Sequence, residues 1–207
     1  MRVMVTGASR GIGRACAEVF ASAGHPVTAV ARSAQGLSEL EAEFPSVVPL
    51  VADLSWEVPG GDYDVVILNA ARFLPGGLLD AERDVFGESW ELNVMANHRL
   101  TRALLPRMIE RGAGHLVVIG SSATEKTEAG MTAYATTKKC LRALYEAWEE
   151  ELRGTGVRCT LIAPGATLTS SWDGEEPPPR YLLPEQVAGL VYRSVVEGLT
   201  GRHTIRA

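Results

Sequence analysis

The sequence predicts an α/β protein, a doubly wound parallel sheet of about seven strands with a shortened connection between the third and the fourth. Three observations predict it. Short apolar runs alternate with segments of helical apolar spacing along the chain. The run Val65–Leu68 is apolar at every position, as expected of a strand buried on both faces. Parallel strands need crossover connections that cover both faces of the sheet, and the intervening helical segments supply them.

The first strand, Arg2–Thr6, runs into a glycine turn. Ile12–Ala23 then places Ile12, Ala15, Cys16, Val19 and Phe20 on one helical face, and Gly24 stops the helix. Pro26–Ala31 reads as the second strand, Ala34–Phe44 as a second helix and Val47–Ala52 as the third strand. Only about ten polar, glycine-containing residues separate Asp53 from the fourth strand at Val65–Leu68, too few for a regular crossover helix. A long helix is expected over Arg83–Arg111, with a break near Pro106. A fifth strand follows at His115–Ile119, another long helix at Thr132–Arg153 and a sixth strand at Val157–Ala163. Glu175–Pro179 reads as a surface loop, Pro184–Gly198 as the last helix and His203–Ile205 as a seventh strand. No internal repeat or linker divides the chain, so residues 1–207 are expected to form one domain.

Composition narrows the function. Hydrophobic residues make up 46% and charged residues 22%, the balance of an ordinary globular protein. A net charge of -5 gives no electrostatic reason to bind nucleic acid or an anionic membrane surface. No apolar run approaches a membrane span and no charged-then-apolar leader opens the chain, so the cytoplasm is the expected compartment. Cys16, Cys140 and Cys159 are odd in number and far apart, which argues against a disulfide framework; Cys16 and Cys159 fall on core faces. His25, His98, His115 and His203 lack ligand spacing, so no metal is expected. Trp56, Trp90, Trp148 and Trp172 form no regular stacking platform, and only Trp172 is placed where it could line a substrate cleft. The charged run Glu146–Arg153 reads as a solvated helix face.

The first strand leads into T-G-A-S-R-G-I-G at 6–13, with Gly7, Gly11 and Gly13 spaced G-x3-G-x-G. Glycines at a strand-to-helix turn let the backbone approach a pyrophosphate, and the helix N-terminus adds free N–H groups and partial positive charge. A tight turn with no ligand has the same glycines, but its place after the first strand favours the nucleotide. The end of the second strand then indicates which nucleotide. A site for NAD puts an acidic residue about 20 residues beyond the glycine turn, to bond the ribose 2′-hydroxyl. Here that place holds Arg32, and Arg10 projects from the glycine loop toward it. Two guanidiniums suit a 2′-phosphate; the plainer alternative is a pair of solvated surface arginines. Asp53, ending the third strand, is positioned to accept from the adenine amino group or to cap a helix. Asn69-Ala70-Ala71 ends the fourth strand with small residues where the backbone can approach a ribose.

Ser121 follows the fifth strand in V-V-I-G-S-S, and Tyr134 and Lys138 lie in Y-A-T-T-K on a predicted helix. The spacing of four puts phenol and ammonium on one face, one turn apart. An unperturbed phenol titrates near pH 10, and moving it near neutrality takes roughly 4 kcal/mol. An adjacent ammonium and a cationic oxidised nicotinamide could supply that by favouring phenolate. The chemistry indicated is hydride transfer between nicotinamide and a carbonyl carbon, with Tyr134 giving the proton and Ser121 bonding the oxygen as charge develops. Tyr-x3-Lys alone carries little weight, since any amphipathic helix can hold it.

Taken together and in order, these motifs resemble the short-chain dehydrogenase/reductase family from Val3 to about Thr169, and more loosely beyond. The matching residues are 6–13, Asp53-Leu54, Asn69-Ala70-Ala71, Asn93 in E-L-N-V, the I-G-S ending at Ser121, Tyr134 with Lys138, and Pro164-Gly165-Ala166-Thr167-Leu168-Thr169. The thirteen-residue step from Ser121 to Tyr134 fits; Ser122 would be one residue short. The resemblance implies a Rossmann-type fold and catalytic roles for Asn93, Ser121, Tyr134 and Lys138, with Asn93 holding a water that relays protons toward the lysine. It extends the cofactor contacts to Ser9, Ile12 and Leu54, gives Lys138 the nicotinamide ribose, and makes 164–169 the loop over nicotinamide, with Thr167 and Thr169 near the carboxamide and pyrophosphate. It implies NADP(H) as cofactor, a small carbonyl or secondary alcohol as substrate, and a homodimer or homotetramer formed through the helices at about 83–111 and 132–153.

The sequence also departs from the family. Ala71 stands where the family has glycine, a helix is missing over 54–64, and the segment from Ser170 to Arg180 is short for a substrate lid, implying an open site. These departures motivate a second reading, a non-catalytic dinucleotide sensor or partner-binding protein on the same fold. The complete set Asn93, Ser121, Tyr134 and Lys138 speaks against it.

Overall fold

The computed structural model describes residues 1–74, 83–126, 128–169 and 179–207. Seven strands form one all-parallel sheet in the order β3-β2-β1-β4-β5-β6-β7: β1 Val3–Thr6, β2 Val27–Ala31, β3 Val47–Val51, β4 Val65–Leu68, β5 Gly114–Ile119, β6 Val157–Pro164 and β7 Gly201–Ile205. The order reverses between β1 and β4, which opens a crevice at their carboxyl ends. This is the predicted doubly wound, Rossmann-type sheet.

Side-chain alternation along the strands builds two apolar layers. On one face Val3, Val5, Val65, Ile67, Val117 and Ile119 pack with Cys16, Phe20, Leu37, Leu40, Val187 and Val191. Those residues come from helices α1 (Gly11–Ser22), α2 (Ala34–Glu43) and α6 (Pro184–Glu197). Phe20 and Tyr192 join α1 to α6 edge to face, 5.1 Å between ring centroids. On the other face Met4, Val66, Leu68, Leu116 and Val118 pack with Leu92, Leu100, Leu104, Leu141, Tyr145 and Trp148. Each fully buried Leu or Val contributes about 2 kcal/mol of transfer free energy, so strands apolar at every position are stable only between two such layers. Cys16 and Cys159 are buried in these layers as predicted, and burial raises both thiols to about 12.

Two helical boundaries differ from the predicted ones in an informative way. The long helix begins at Val85, capped by Asp84 Oδ1 accepting from the Gly87 N–H at 2.8 Å. It comprises α3 (Val85–Trp90), one π-helical turn (Glu91–Ala96) and α4 (Asn97–Arg111). The break expected at Pro106 does not occur: Pro106 lies inside α4. Pro106 and Arg102 both lie on the exposed side, where water can satisfy the carbonyl that proline leaves without a donor. The irregularity falls instead at the π turn. The second long helix, α5, runs Thr132–Glu151, two residues shorter than predicted.

As predicted, no crossover helix links β3 to β4; residues 54–56 make a single turn. Leu54 and Ser55 are buried, whereas Trp56 is 82% exposed. Among the described residues no helix is long and apolar enough to cross a membrane.

Candidate active site

A cleft of about 1040 Å³ opens over the β1–β4 reversal. Its lining gathers most of the predicted site: Gly7, Ser9, Arg10, Gly11, Ile12, Arg32, Asp53, Leu54, Asn69, Ala70, Ala71, Ser121, Tyr134, Lys138, Pro164, Gly165, Thr167 and Thr169. Gly13 and Asn93 do not line it; they support its walls.

The glycine end is fixed by two residues at the switch point. Thr6, fully buried, donates its hydroxyl to Ile67 O at 3.2 Å and accepts from the N–H groups of Asn69 and Ala70 at 2.9 and 3.0 Å. Asn69 Nδ2 donates to the carbonyls of Thr6 and Gly7 at 2.9 and 3.3 Å. The carboxyl ends of β1 and β4 are thereby stapled together. Gly7 is left-handed (φ 67°), and a methyl there would sit 2.9 Å from Asn69 Nδ2. A methyl on Gly13 would overlap the Gly7 carbonyl oxygen, so Gly13 serves close helix–loop packing rather than the lining. Thr169 closes over the loop, its Cγ2 3.1 Å from where a Gly11 methyl would be. The first turn of α1 faces this space with no acidic residue to oppose an anion. Ala71 costs no backbone strain, since no described residue other than glycine has positive φ.

At the outer end, beside the glycine loop, Arg32 Nη1 lies 3.9 Å from Asp53 Oδ2 across the mouth, both groups partly exposed. Asp53 sits between the cleft and the turn that follows β3. It lines the cleft, and its Oδ1 accepts from the Ser55 N–H at 3.0 Å, capping the 54–56 turn. Partial burial pushes its carboxyl upward, but Ser55, Arg32 and Arg72 together bring it below the usual carboxylate range. Ser33 Oγ caps α2 by accepting from Gly36 N at 3.2 Å, beside Arg32.

At the inner end Ser121 Oγ accepts from Ala123 N at 3.1 Å, and the Ser121 hydroxyl lies near enough to the Tyr134 phenol to favour its ionised form. Ser122 also lines the cleft, but Ser121 is the serine whose hydroxyl acts on the Tyr134 phenol. Lys138 Nζ donates to Ile119 O at 2.9 Å and lies 5.9 Å from the centroid of the Tyr134 ring. The predicted face-sharing of phenol and ammonium is present. Burial raises the phenol above its ordinary value, and the Ser121 hydroxyl only partly opposes this. Burial likewise lowers Lys138 to about 8. Both charged forms are disfavoured, because burial costs them more hydration than the neighbouring described groups return.

Asn93, fully buried in the π turn, accepts from Arg72 N at 2.7 Å and donates to Arg72 O and Thr137 Oγ1, both at 3.0 Å. Thr137 in turn donates to the Tyr134 carbonyl at 3.0 Å. Thr6, Thr137 and Phe73 were not singled out in the sequence. Phe73 packs edge-on to Tyr134, 4.9 Å between centroids at 77°. A hydroxyl ending an otherwise apolar strand was the one signal that could have found Thr6. Trp172 and most of the 170–180 segment lie outside the described residues.

Comparison with known proteins agrees with this geometry. A family model described as short chain dehydrogenase matches residues 1–178. The chain is 35% identical over 180 residues to a short chain dehydrogenase of Pseudocercospora fijiensis, covering 79% of this chain and 58% of that protein. It is 32% identical over 178 residues to carbonyl reductase [NADPH] 2 of Sus scrofa, covering 82% and 73%. The chain thus spans little more than half the length of some relatives that it matches. Among solved structures, serine dehydrogenase from Escherichia coli superposes with a TM-score of 0.88 at 27% identity, over 100% of this chain and 98% of that one. A short-chain dehydrogenase from Sphingobium yanoikuyae in complex with NADPH gives 0.89 at 28% identity, over 98% and 87%.

Proposed function

We propose a function from one premise: the chain belongs to the short-chain dehydrogenase/reductase family. On our reading, residues 1–207 form one nucleotide-binding domain that reduces a carbonyl compound, or oxidises the corresponding secondary alcohol, with NADP(H). The observation that carries this reading is one cleft joining a glycine cradle and two arginines to Ser121, Tyr134 and Lys138. The residues present fit a 2′-phosphorylated dinucleotide. The turn at Gly7 and Gly11 tolerates no added methyl without strain, and the α1 N-terminus beside it suits a pyrophosphate. Arg10 and Arg32 are the cations for the 2′-phosphate, with Ser33 and Ser9 beside them. Asp53 and Leu54 take the adenine, Asn69 to Ala71 its ribose, and Pro164, Gly165, Thr167 and Thr169 the nicotinamide half. Relatives whose names or titles state NADPH support the choice of cofactor.

When bound, the nicotinamide supplies or accepts the hydride. Ser121 orients the substrate oxygen, its hydroxyl sharing the inner end of the cleft with the Tyr134 phenol. Tyr134 gives the proton during reduction. Its raised phenol keeps that proton at neutral pH, as a general acid must. Lys138, anchored on Ile119 O, holds the nicotinamide ribose and stabilises phenolate once the proton has left. Asn93 stands behind Tyr134 and fixes it through Thr137. The outer faces of α4 and α5, with Ile109 exposed, are the surface we assign to self-association.

The test is a panel of aldehydes and ketones with NADPH, followed at the nicotinamide absorbance band. Turnover of at least one carbonyl supports the enzyme. Tight NADPH binding with no turnover across a broad panel would instead make the protein a dinucleotide sensor.

A further inference from the structure

The turn at 54–56 poses a problem of support. In a doubly wound sheet a crossover helix packs the chain between β3 and β4 onto the sheet, and here that helix is missing. Beyond Leu54 and Ser55, residues 56–58 are exposed, so the turn has little apolar packing of its own. Yet Asp53 and Leu54 line the outer end of the cleft, and their position depends on that turn.

We infer that Arg99 is a positioning residue for this end of the cleft, holding the shortened turn in place of the missing helix. Arg99 reaches from α4 and donates Nη2 to the carbonyl oxygens of Leu54 and Ser55 at 3.2 and 2.9 Å. The same nitrogen lies 2.5 Å from Glu91 Oε1, in the π turn. Glu91 orients the guanidinium, and the guanidinium supplies donors to two carbonyls that a helix would have covered. A charge-assisted bond to a part-buried carbonyl is stronger than a neutral one, so this one side chain can replace several apolar contacts. The π turn thereby serves both ends of the cleft: Glu91 through Arg99 at the outer end, Asn93 through Arg72 and Thr137 at the inner end. Arg99 is not itself part of the lining and reaches it only through the Leu54 carbonyl, away from Ser121, Tyr134 and Lys138, so its effect is on affinity for the adenosine half.

The inference rests on the proposed nucleotide site, and its test separates the two. Dissociation constants are measured for NADPH and for adenosine 2′,5′-bisphosphate, alongside KM, kcat and the melting temperature. Arg99→Leu is expected to weaken both ligands about tenfold, the loss of one charged hydrogen-bonding group. Its kcat at saturating NADPH should stay within about twofold of the parent. Arg99→Lys, which keeps a charge and a donor, should recover most of the affinity. Glu91→Gln, which frees the guanidinium without deleting it, should give a smaller loss of the same kind and guards against misfolding of the first variant. Unchanged affinity for the bisphosphate in both Arg99→Leu and Glu91→Gln overturns the inference, as does a loss confined to kcat. A parent protein that binds neither ligand overturns the nucleotide site itself.

Discussion

Asn93 and Arg72 are bound to each other in both directions: the Asn93 side chain accepts from the Arg72 N–H at 2.7 Å and donates to the Arg72 carbonyl at 3.0 Å. The clasp ties the π turn to the chain leaving β4, three residues beyond Asn69. Asn93→Leu leaves two polar groups of Arg72, its N–H and its carbonyl, without the Asn93 partner and removes the donor to the Thr137 hydroxyl, which keeps its own bond to the Tyr134 carbonyl. Urea unfolding should show a loss of about 2 kcal/mol, with reduced turnover because the π turn is no longer tied to the start of α5 through Thr137. An unchanged midpoint would mean that water replaces the clasp.

Two glycine substitutions should have opposite signs. Gly13→Ala forces a methyl into the Gly7 carbonyl and should cost at least about 2 kcal/mol and weaken NADPH binding. Gly189→Ala meets nothing within 4 Å on the exposed side of α6 and should stabilise by up to about 1 kcal/mol. Thermal melting of the two variants checks both.

Much of this site was legible in the sequence because it is local or arithmetical. The glycine turn, the four-residue step from Tyr134 to Lys138 and the short gap between Asp53 and Val65 need no tertiary knowledge. The π turn was not legible. E-L-N-V-M-A reads as ordinary helix, and its extra residue accompanies Asn93 reaching Arg72, 21 residues away in sequence. Arg99 was hidden for the same reason, since its partners lie 44 and 45 residues away and only folding brings them together. Pro106 misled in the other direction: its exposure, which removes the penalty on the helix, belongs to the packed state.

Arg32→Asp should move cofactor preference from NADPH toward NADH. It removes a cation expected at the 2′-phosphate and sets a second carboxylate beside Asp53, now 3.9 Å from the arginine. A shift of at least about tenfold in the ratio of kcat/KM values is expected. An unchanged ratio would contradict the assigned phosphate contact.

Stability should fall with acidification through one buried group. His115, 1% exposed, pairs Nε2 with Thr160 Oγ1 at 2.7 Å while its Nδ1 has no partner, and burial lowers it to about 4. The unfolded chain takes up this proton near pH 6.5 and the folded chain does not. The stabilisation is complete above pH 6.5 and is lost at about 1.4 kcal/mol per unit down to pH 4. Urea titrations at pH 7.5 and 5 should differ, and His115→Gln should flatten that difference.

The most direct test of the proposed chemistry is Tyr134→Phe, measured as NADPH affinity and single-turnover carbonyl reduction on the same sample. The phenol hydroxyl is the proposed proton donor, while the ring keeps its edge-on packing with Phe73. The account predicts affinity within about threefold of the parent and a rate lower by about 10³. Retention of most of the parent rate by Tyr134→Phe would contradict it.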